Sequence, residues 1–272
     1  MRYATFFCLL AEDAHRIARQ TGEPVEEVLT QQLRSSAALG VDGMTMAYTE
    51  LTEENLKLVK QCGLRVDLVY WSSRLVFGED GDQLQEVAEK IASTGADVLM
   101  LLAGSTGGAL TDAQERANAY PLARELVKHC ENAGIHCGME NFGGLKTTYS
   151  TIDGVKDYLD HVEGLGAVLD IGNAIWQRQD AMQMWDMMKN RIVAVHAKDV
   201  SLRPVEGVRQ NRTPWGDLIT PLPIGDGDAP MAQLIPAIRD SGFNGSVTFE
   251  HDGYPDTMHF LHRSIDFWKA HC

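Results

Sequence analysis

Apolar residues along this chain fall into short, nearly continuous runs separated by amphipathic stretches, and the alternation occurs eight times. The runs predict strands at Ala4–Leu10, Gly43–Ala47, Arg65–Trp71, Asp97–Leu102, Ile135–Glu140, Ala167–Asp170, Ile192–His196 and Ser246–Glu250. Continuous apolar character is expected of parallel strands, because helices cover both faces of such a sheet. Several runs follow a glycine that closes a helical pattern, as in SSAALG-VDGMTM, ASTG-ADVLMLL and ENAG-IHCGME. Glycine suits that position because the left-handed conformation just past a helix end costs it nothing.

Helices are predicted between the runs. Val25–Leu39 places Val25, Val28, Leu29, Leu33 and Ala37 on one face. Thr52 is a cap for Glu53–Gln61, and Asp82 one for Gln83–Thr94. Thr111–Ala133 carries Pro121, which predicts a kink or break. Asp153–Val162, Asp180–Lys189, Ala229–Asp240 and Asp256–His271 complete the series. Strands alternating with helices in this number predict an α/β fold, a single (β/α)8 TIM barrel occupying 1–272 as one domain. One interval breaks the rhythm: Ser201–Asp228, rich in Pro, Gly and Arg, reads as a long loop after the seventh strand, a lid or wall of a site.

The 272 residues, 44% of them hydrophobic, suffice for a sizeable core. A formal charge of −14 argues against a nucleic-acid-binding surface. No apolar stretch approaches the ~20 residues of a membrane span. The five cysteines are scattered with no CxxC pair, which points to reduced thiols and a cytoplasmic protein. The apolar start of the chain serves as a strand better than as a secretion signal, since acidic residues follow at once.

Four of the predicted strands end on a residue able to bind a cation: Glu140, Asp170, His196 and Glu250. In a closed parallel barrel the carboxyl ends of the strands converge at one rim, where such barrels keep their chemistry. Three carboxylates there are costly to bury unless a cation neutralises them. Carboxylates with one imidazole favour a harder or borderline divalent ion; Mn²⁺ is preferred, with Mg²⁺, Co²⁺ and Zn²⁺ as alternatives, and no thiolate selects zinc. Taken singly, each has a plainer reading: Asp170 as a helix cap, His196 as a core histidine, Glu140 as the partner of an arginine. Lys198 lies two residues beyond His196, so it shares that strand face and can meet a substrate oxygen. Tyr70 and Trp71 end the third strand and offer an aromatic wall, with Trp71 taken as the substrate contact. Arg203, Arg209 and Arg212 in the long loop can meet an anionic group, Arg203 first among them. The run Ala103–Gly108 lacks a phosphate-loop lysine and reads as an ordinary connection. His251 should point to the other side of its strand from Glu250, and His136 should be structural.

The phrases MENFGG (Met139–Gly144), LDIGN (Leu169–Asn173), VHAKDV (Val195–Val200), LPIGDGD (Leu222–Asp228) and FEHDG (Phe249–Gly253) resemble the xylose-isomerase-like barrel superfamily. Within it they are most similar to the sugar phosphate isomerase/epimerase group, which includes ketose 3-epimerases and hydroxypyruvate isomerases. The resemblance implies that Glu140 and Glu250 serve both as metal ligands and as acid/base groups, acting on a carbohydrate through a cis-enediolate. Asn173 is a departure: many relatives carry a histidine three residues after the ligand aspartate, whereas an asparagine binds a hydroxyl but carries no proton. The expected function is a metal-dependent isomerase or epimerase of a sugar or sugar-derived ketone. A lyase or dehydratase using the same site, or a non-catalytic sugar-binding barrel, is the alternative. A small carbohydrate is the expected partner, with no nucleic acid or membrane; relatives often form homo-oligomers.

Overall fold

The computed structural model describes residues 1–272. The chain lays down β1 (Arg2–Phe6), β2 (Gly43–Ala47), β3 (Arg65–Ser72), β4 (Val98–Leu102), β5 (His136–Glu140), β6 (Gly166–Asp170) and β7 (Ile192–Ser201) in order. A hairpin of β8 (Asn211–Arg212) and β9 (Leu218–Leu222) follows, and then β10 (Ser246–Glu250). Strands β1 to β7 pair in parallel in sequence order, and β10 closes the circle by pairing with both β7 and β1. Helices run between the strands, so the architecture is the closed eight-stranded (β/α)8 barrel expected from the apolar rhythm.

Two layers of apolar side chains hold it together. The larger lies between barrel and helices and includes Met44, Met46, Val69, Trp71, Leu99, Leu126 and Trp268. The smaller fills the barrel itself with Leu68, Val98, Met100, Val168 and Ala194. At the amino-terminal mouth, buried Asp67 is paired with Arg65 at 2.9 Å and Arg2 at 3.2 Å and accepts the Ser246 hydroxyl at 3.0 Å. Asp97 meets the same two arginines, so this end of the barrel is closed by matched charge.

Three details differ from the sequence expectation. The first strand ends at Phe6, and a helix, Phe7–Thr21, begins at once. Phe7, Leu10, Ala14 and Ala18 are its buried apolar residues. Their helical spacing is hidden because the intervening Cys8 and Leu9 are also apolar, making a strand-like run. The helix Asp112–Ala133 passes through Pro121 without a break. Pro121 and Ala117, four residues earlier, both face solvent, so the carbonyl that loses its intrahelical donor remains open to water. The helix Leu84–Ser93 starts beyond Asp82 and has no side-chain cap. Elsewhere the caps behave as expected: Thr52, Asp180 and Asp256 each accept a backbone N–H of the turn they open.

The segment read as a loop after the seventh strand is partly regular. β7 extends to Ser201, five residues past His196, because β9 pairs antiparallel with its end at Asp199, Val200 and Ser201. Asp199 fastens the return of the segment, its buried carboxylate accepting the N–H groups of Val200, Gly225, Gly227 and Ala229 at 2.8–3.1 Å. A Cβ on Gly227 would stand 2.1 Å from that carboxylate, which requires glycine there. No helix is long and apolar enough to cross a membrane.

Candidate metal centre

Barrel register brings the four strand-end residues together. Asp170 on β6 is level with His196 on β7, and Thr248, two residues before Glu250, is level with His196 on the other side. One ligand atom from each of Glu140, Asp170, His196 and Glu250 lies within 4.8 Å of all the others. His196 Nδ1 faces Glu140 Oε1 at 2.7 Å and Glu250 Oε2 at 3.4 Å. His196 and Asp170 are fully buried, Glu140 nearly so, and Glu250 keeps a small exposed area.

Asp170 has two jobs. Its Oδ1 caps the short helix Ile171–Trp176 by accepting the Asn173 N–H at 2.8 Å, while Oδ2 turns into the cluster. The cap and the ligand readings of this residue are therefore compatible. Neighbouring Asn141 ties the ends of β5 and β6 together: its side chain donates to the Asp170 carbonyl and accepts from the Asp170 N–H, both at 2.8 Å. The rigid pairing fixes Glu140 against Asp170, because backbone and side chain are both held.

Lys198 is also in the cluster, buried, with Nζ at 2.6 Å from Glu250 Oε1, 3.0 Å from Asp170 Oδ2 and 3.4 Å from Asp252 Oδ2. It donates to Asn173 Oδ1 at 3.1 Å. Its stem crosses Gly172, where a Cβ would come within 2.6 Å of Lys198 Cγ. Any side chain at 172 would push the ammonium out of place.

The electrostatics show what the cluster lacks. Burial pushes the Glu250 carboxyl up to about 8 and that of Asp170 up to about 6, although Lys198 pulls both down. For Lys198, burial works to lower the ammonium, but Asp170, Asp252 and Glu250 outweigh it and hold its pKa well above the usual value. His196 is likewise raised, burial being overcome by its hydrogen bond to Glu140. Asp170 Oδ2, Glu250 Oε2 and Asp252 Oδ2 are buried and accept no directed hydrogen bond, although ammonium or imidazole nitrogens lie near them. Buried carboxylate oxygens without donors are costly. A divalent ion held by Glu140, Asp170, His196 and Glu250 answers that shortage, so the donor set fits a metal of the oxygen-preferring kind.

Other residues singled out from sequence lie elsewhere. Trp71 points outward into the layer between barrel and helices, away from the four strand-end residues. Strand parity is the reason: Leu68 and Tyr70 face the barrel interior, so Trp71 cannot. Arg203 is 82% exposed and paired with Asp228 at 3.2 Å. Arg212 bonds within its own hairpin to the Gly216 carbonyl, and Arg209 is exposed. His136 lies exposed at the opposite end of the barrel, and buried His251 accepts the Tyr254 N–H while packing on Phe260. The glycine-rich run is tied to the connection after β5, with Gly104 bonded through N–H and carbonyl to the Tyr149 hydroxyl.

Several contributors escaped the sequence reading. Phe6 packs edge-on against His196, with ring centroids 5.2 Å apart, and also touches Tyr70. Asp252 reaches Lys198 from the turn after β10. Asn141 follows Glu140 directly, and its amide in an otherwise apolar strand end was the available signal. The hairpin bounds the rim at two points: Asn211 donates to the Asp252 carbonyl at 2.6 Å, and Trp215 donates to Gln177 at 3.1 Å. Gln177 in turn donates to the Gly143 and Leu145 carbonyls, which links the hairpin to the connection after β5.

Comparison with known proteins agrees with this architecture. No curated protein matches the chain. Among solved structures, D-allulose 3-epimerase from Methylomonas sp. superposes with a TM-score of 0.72 at 14% identity, over 100% of this chain and 98% of that one. The probable 3-DHS dehydratase AsbF from Bacillus anthracis gives a TM-score of 0.71 at 15% identity, covering 99% of both chains. A xylose isomerase-like TIM barrel protein from Mycobacterium smegmatis, solved in complex with magnesium, gives 0.67 at 19% identity over 90% of this chain and 88% of that one. At such identities the likeness establishes the fold. Residues 33–271 match the model of one protein family, and on that match the chain belongs to the xylose isomerase-like TIM barrels.

Proposed function

We propose that the protein is a divalent-metal-dependent isomerase or epimerase of a ketose or related polyol ketone. The observation that carries this reading is the convergence of Glu140, Asp170, His196 and Glu250 on one spot, where buried oxygens of Asp170 and Glu250 accept no directed hydrogen bond. A metal bound there, with Mn²⁺ the preferred ion, supplies Lewis-acid polarisation of the substrate carbonyl and its neighbouring hydroxyl. Asp170 and His196 would hold it, while Glu140 and Glu250 would both bind it and move protons.

One glutamate takes the proton alpha to the carbonyl. The C–H bond breaks, its electron pair forms the carbon–carbon double bond of a cis-enediolate, and the carbonyl oxygen gains the charge. The other glutamate returns a proton. Delivery to the opposite face of the same carbon inverts it; delivery to the former carbonyl carbon, with the neighbouring hydroxyl's proton passing to the former carbonyl oxygen, moves the carbonyl along the chain. Both routes need two carboxyl groups, because base and acid must each be within hydrogen-bond reach of the reacting carbons. Lys198 and Asn173 are the substrate-oxygen contacts in this reading. Tyr70, on the interior face of β3, replaces Trp71 as the aromatic wall, and Arg203 is left out because its guanidinium lies at the surface. The epimerase similarity supports a carbohydrate substrate. Five free thiols favour a reducing compartment, the cytoplasm.

A dehydratase is the second reading, favoured by the similarity to AsbF. It begins with the same proton abstraction and then expels a β-hydroxyl. Proton NMR in D₂O with a panel of ketoses and Mn²⁺ separates the two. An isomerase or epimerase leaves deuterium on the carbon alpha to the carbonyl, whereas a dehydratase gives an unsaturated product. Absence of exchange across the panel counts against the first reading. Elemental analysis should find about one metal per chain, as one ligand set implies, and His196→Ala should lose it.

A further inference from the structure

Lys198 shares partners with the metal proposed above. Its ammonium lies against Glu250 Oε1 at 2.6 Å and Asp170 Oδ2 at 3.0 Å, two carboxylates that a divalent ion would also need. Two cations held against the same carboxylates repel strongly in a buried setting, because little water intervenes to screen them. A second set of partners stands beside the first. Asp252 Oδ2, buried and accepting no hydrogen bond, is 3.4 Å from the same nitrogen, and Asn173 Oδ1 is 3.1 Å away. The stem is pinned across Gly172, so the choice between the two sets falls to the last bonds of the side chain.

We propose that Lys198 is an exchangeable counter-cation of the site. Without metal, its ammonium is held against Asp170 and Glu250; on metal binding it leaves them and is held by Asp252 and Asn173. The inference rests on the metal reading of the cluster. Metal affinity is then set by displacement of an internal cation as well as by the ligands, and the barrel keeps its fold in the metal-free state. Asp252 gains a role that no ligand count gives it, as the receiving carboxylate.

Titration of the metal-stripped full-length protein with Mn²⁺ in a calorimeter tests this. Lys198→Met removes the rival cation and should bind Mn²⁺ at least about tenfold more tightly. Lys198→Arg keeps the charge but carries a broad planar guanidinium in place of a compact ammonium, and should bind at least about tenfold more weakly. Simple repulsion at a distance would leave Lys198→Arg unchanged. Wild-type affinity in either variant overturns the exchange. Should they fail to fold, Asp252→Asn serves: loss of the receiving carboxylate should weaken binding about fivefold, and unchanged affinity overturns the proposal. His196→Ala separates this inference from the reading beneath it. If that variant binds Mn²⁺ like the wild type, the metal centre itself is misplaced. If it loses binding while the Lys198 variants match the wild type, the exchange alone fails.

Discussion

Both ends of this barrel bury charge, and they resolve it in opposite ways. At the amino-terminal mouth, Asp67 and Asp97 face Arg2 and Arg65, two carboxylates against two guanidiniums, and Ser246 satisfies the oxygen left over. At the carboxyl-terminal rim, Glu140, Asp170, Glu250 and Asp252 face one ammonium and one imidazole, and three of the carboxylate oxygens are left without directed donors. The first end is balanced and the second is short of positive charge. A balanced cluster fastens strands together. A deficient one costs stability unless something arrives to complete it, which is what the proposed metal site requires of this rim.

The contrast can be broken by exchanging one carboxylate at each end. The largest effect should come from the rim. Glu140→Gln or Glu250→Gln should lower metal-dependent proton exchange by about 10²–10⁴-fold while circular dichroism stays native, since a positioned acid or base contributes that much. Full exchange in both variants would remove the rim from catalysis.

A second effect concerns the acidity around the rim. Burial, followed by Glu50 and Glu12, pushes the Cys8 thiol up to about 12. The folded pKa is raised, so Cys8 contributes stability that is present below the ordinary thiol range and is lost as the pH rises through about 12. At pH 8 its thiolate fraction should be on the order of 10³ lower than that of an ordinary thiol. Alkylation followed by peptide mass spectrometry reads this directly, and rapid labelling of Cys8 would show that its burial and the acidic field around it are weaker than the structure implies.

The amino-terminal mouth should respond in stability and not in turnover. Asp67→Ala leaves two guanidiniums without their buried partner and should cost about 2 kcal/mol, discounted because both arginines are partly exposed. Urea unfolding measures it, and exchange per folded molecule should match the wild type. The smallest effect is the sharpest: metal-free Glu250→Gln should be as stable as the wild type to within about 0.5 kcal/mol, or slightly more stable, because burial already favours the neutral carboxyl that the amide mimics. A loss like that of Asp67→Ala would mean the rim is a fastening too.

Much of this was legible without coordinates. The eight apolar runs, the glycines that close helices and the caps at Thr52, Asp180 and Asp256 are local signals, set by steric and hydrogen-bonding preferences of a few adjacent residues. The candidate ligands were legible because a barrel puts equivalent strand ends on one rim. Phe7–Leu10 misled because a fully apolar stretch has no period to read. Pro121 misled because sequence does not say which side of a helix faces water.

Sequence alone thus determined the barrel and the residue types at its rim, through periodicity and the chemistry of strand-end side chains. Tertiary structure decided which of them meet. Parity on β3 turned Trp71 away from the interior and Tyr70 toward it, and pairing of β9 with β7 carried Arg203 to the surface. Most of all, only the packed barrel brought Lys198 and Asp252 to the same carboxylates, because that contact depends on register among three strands and on the open space above Gly172.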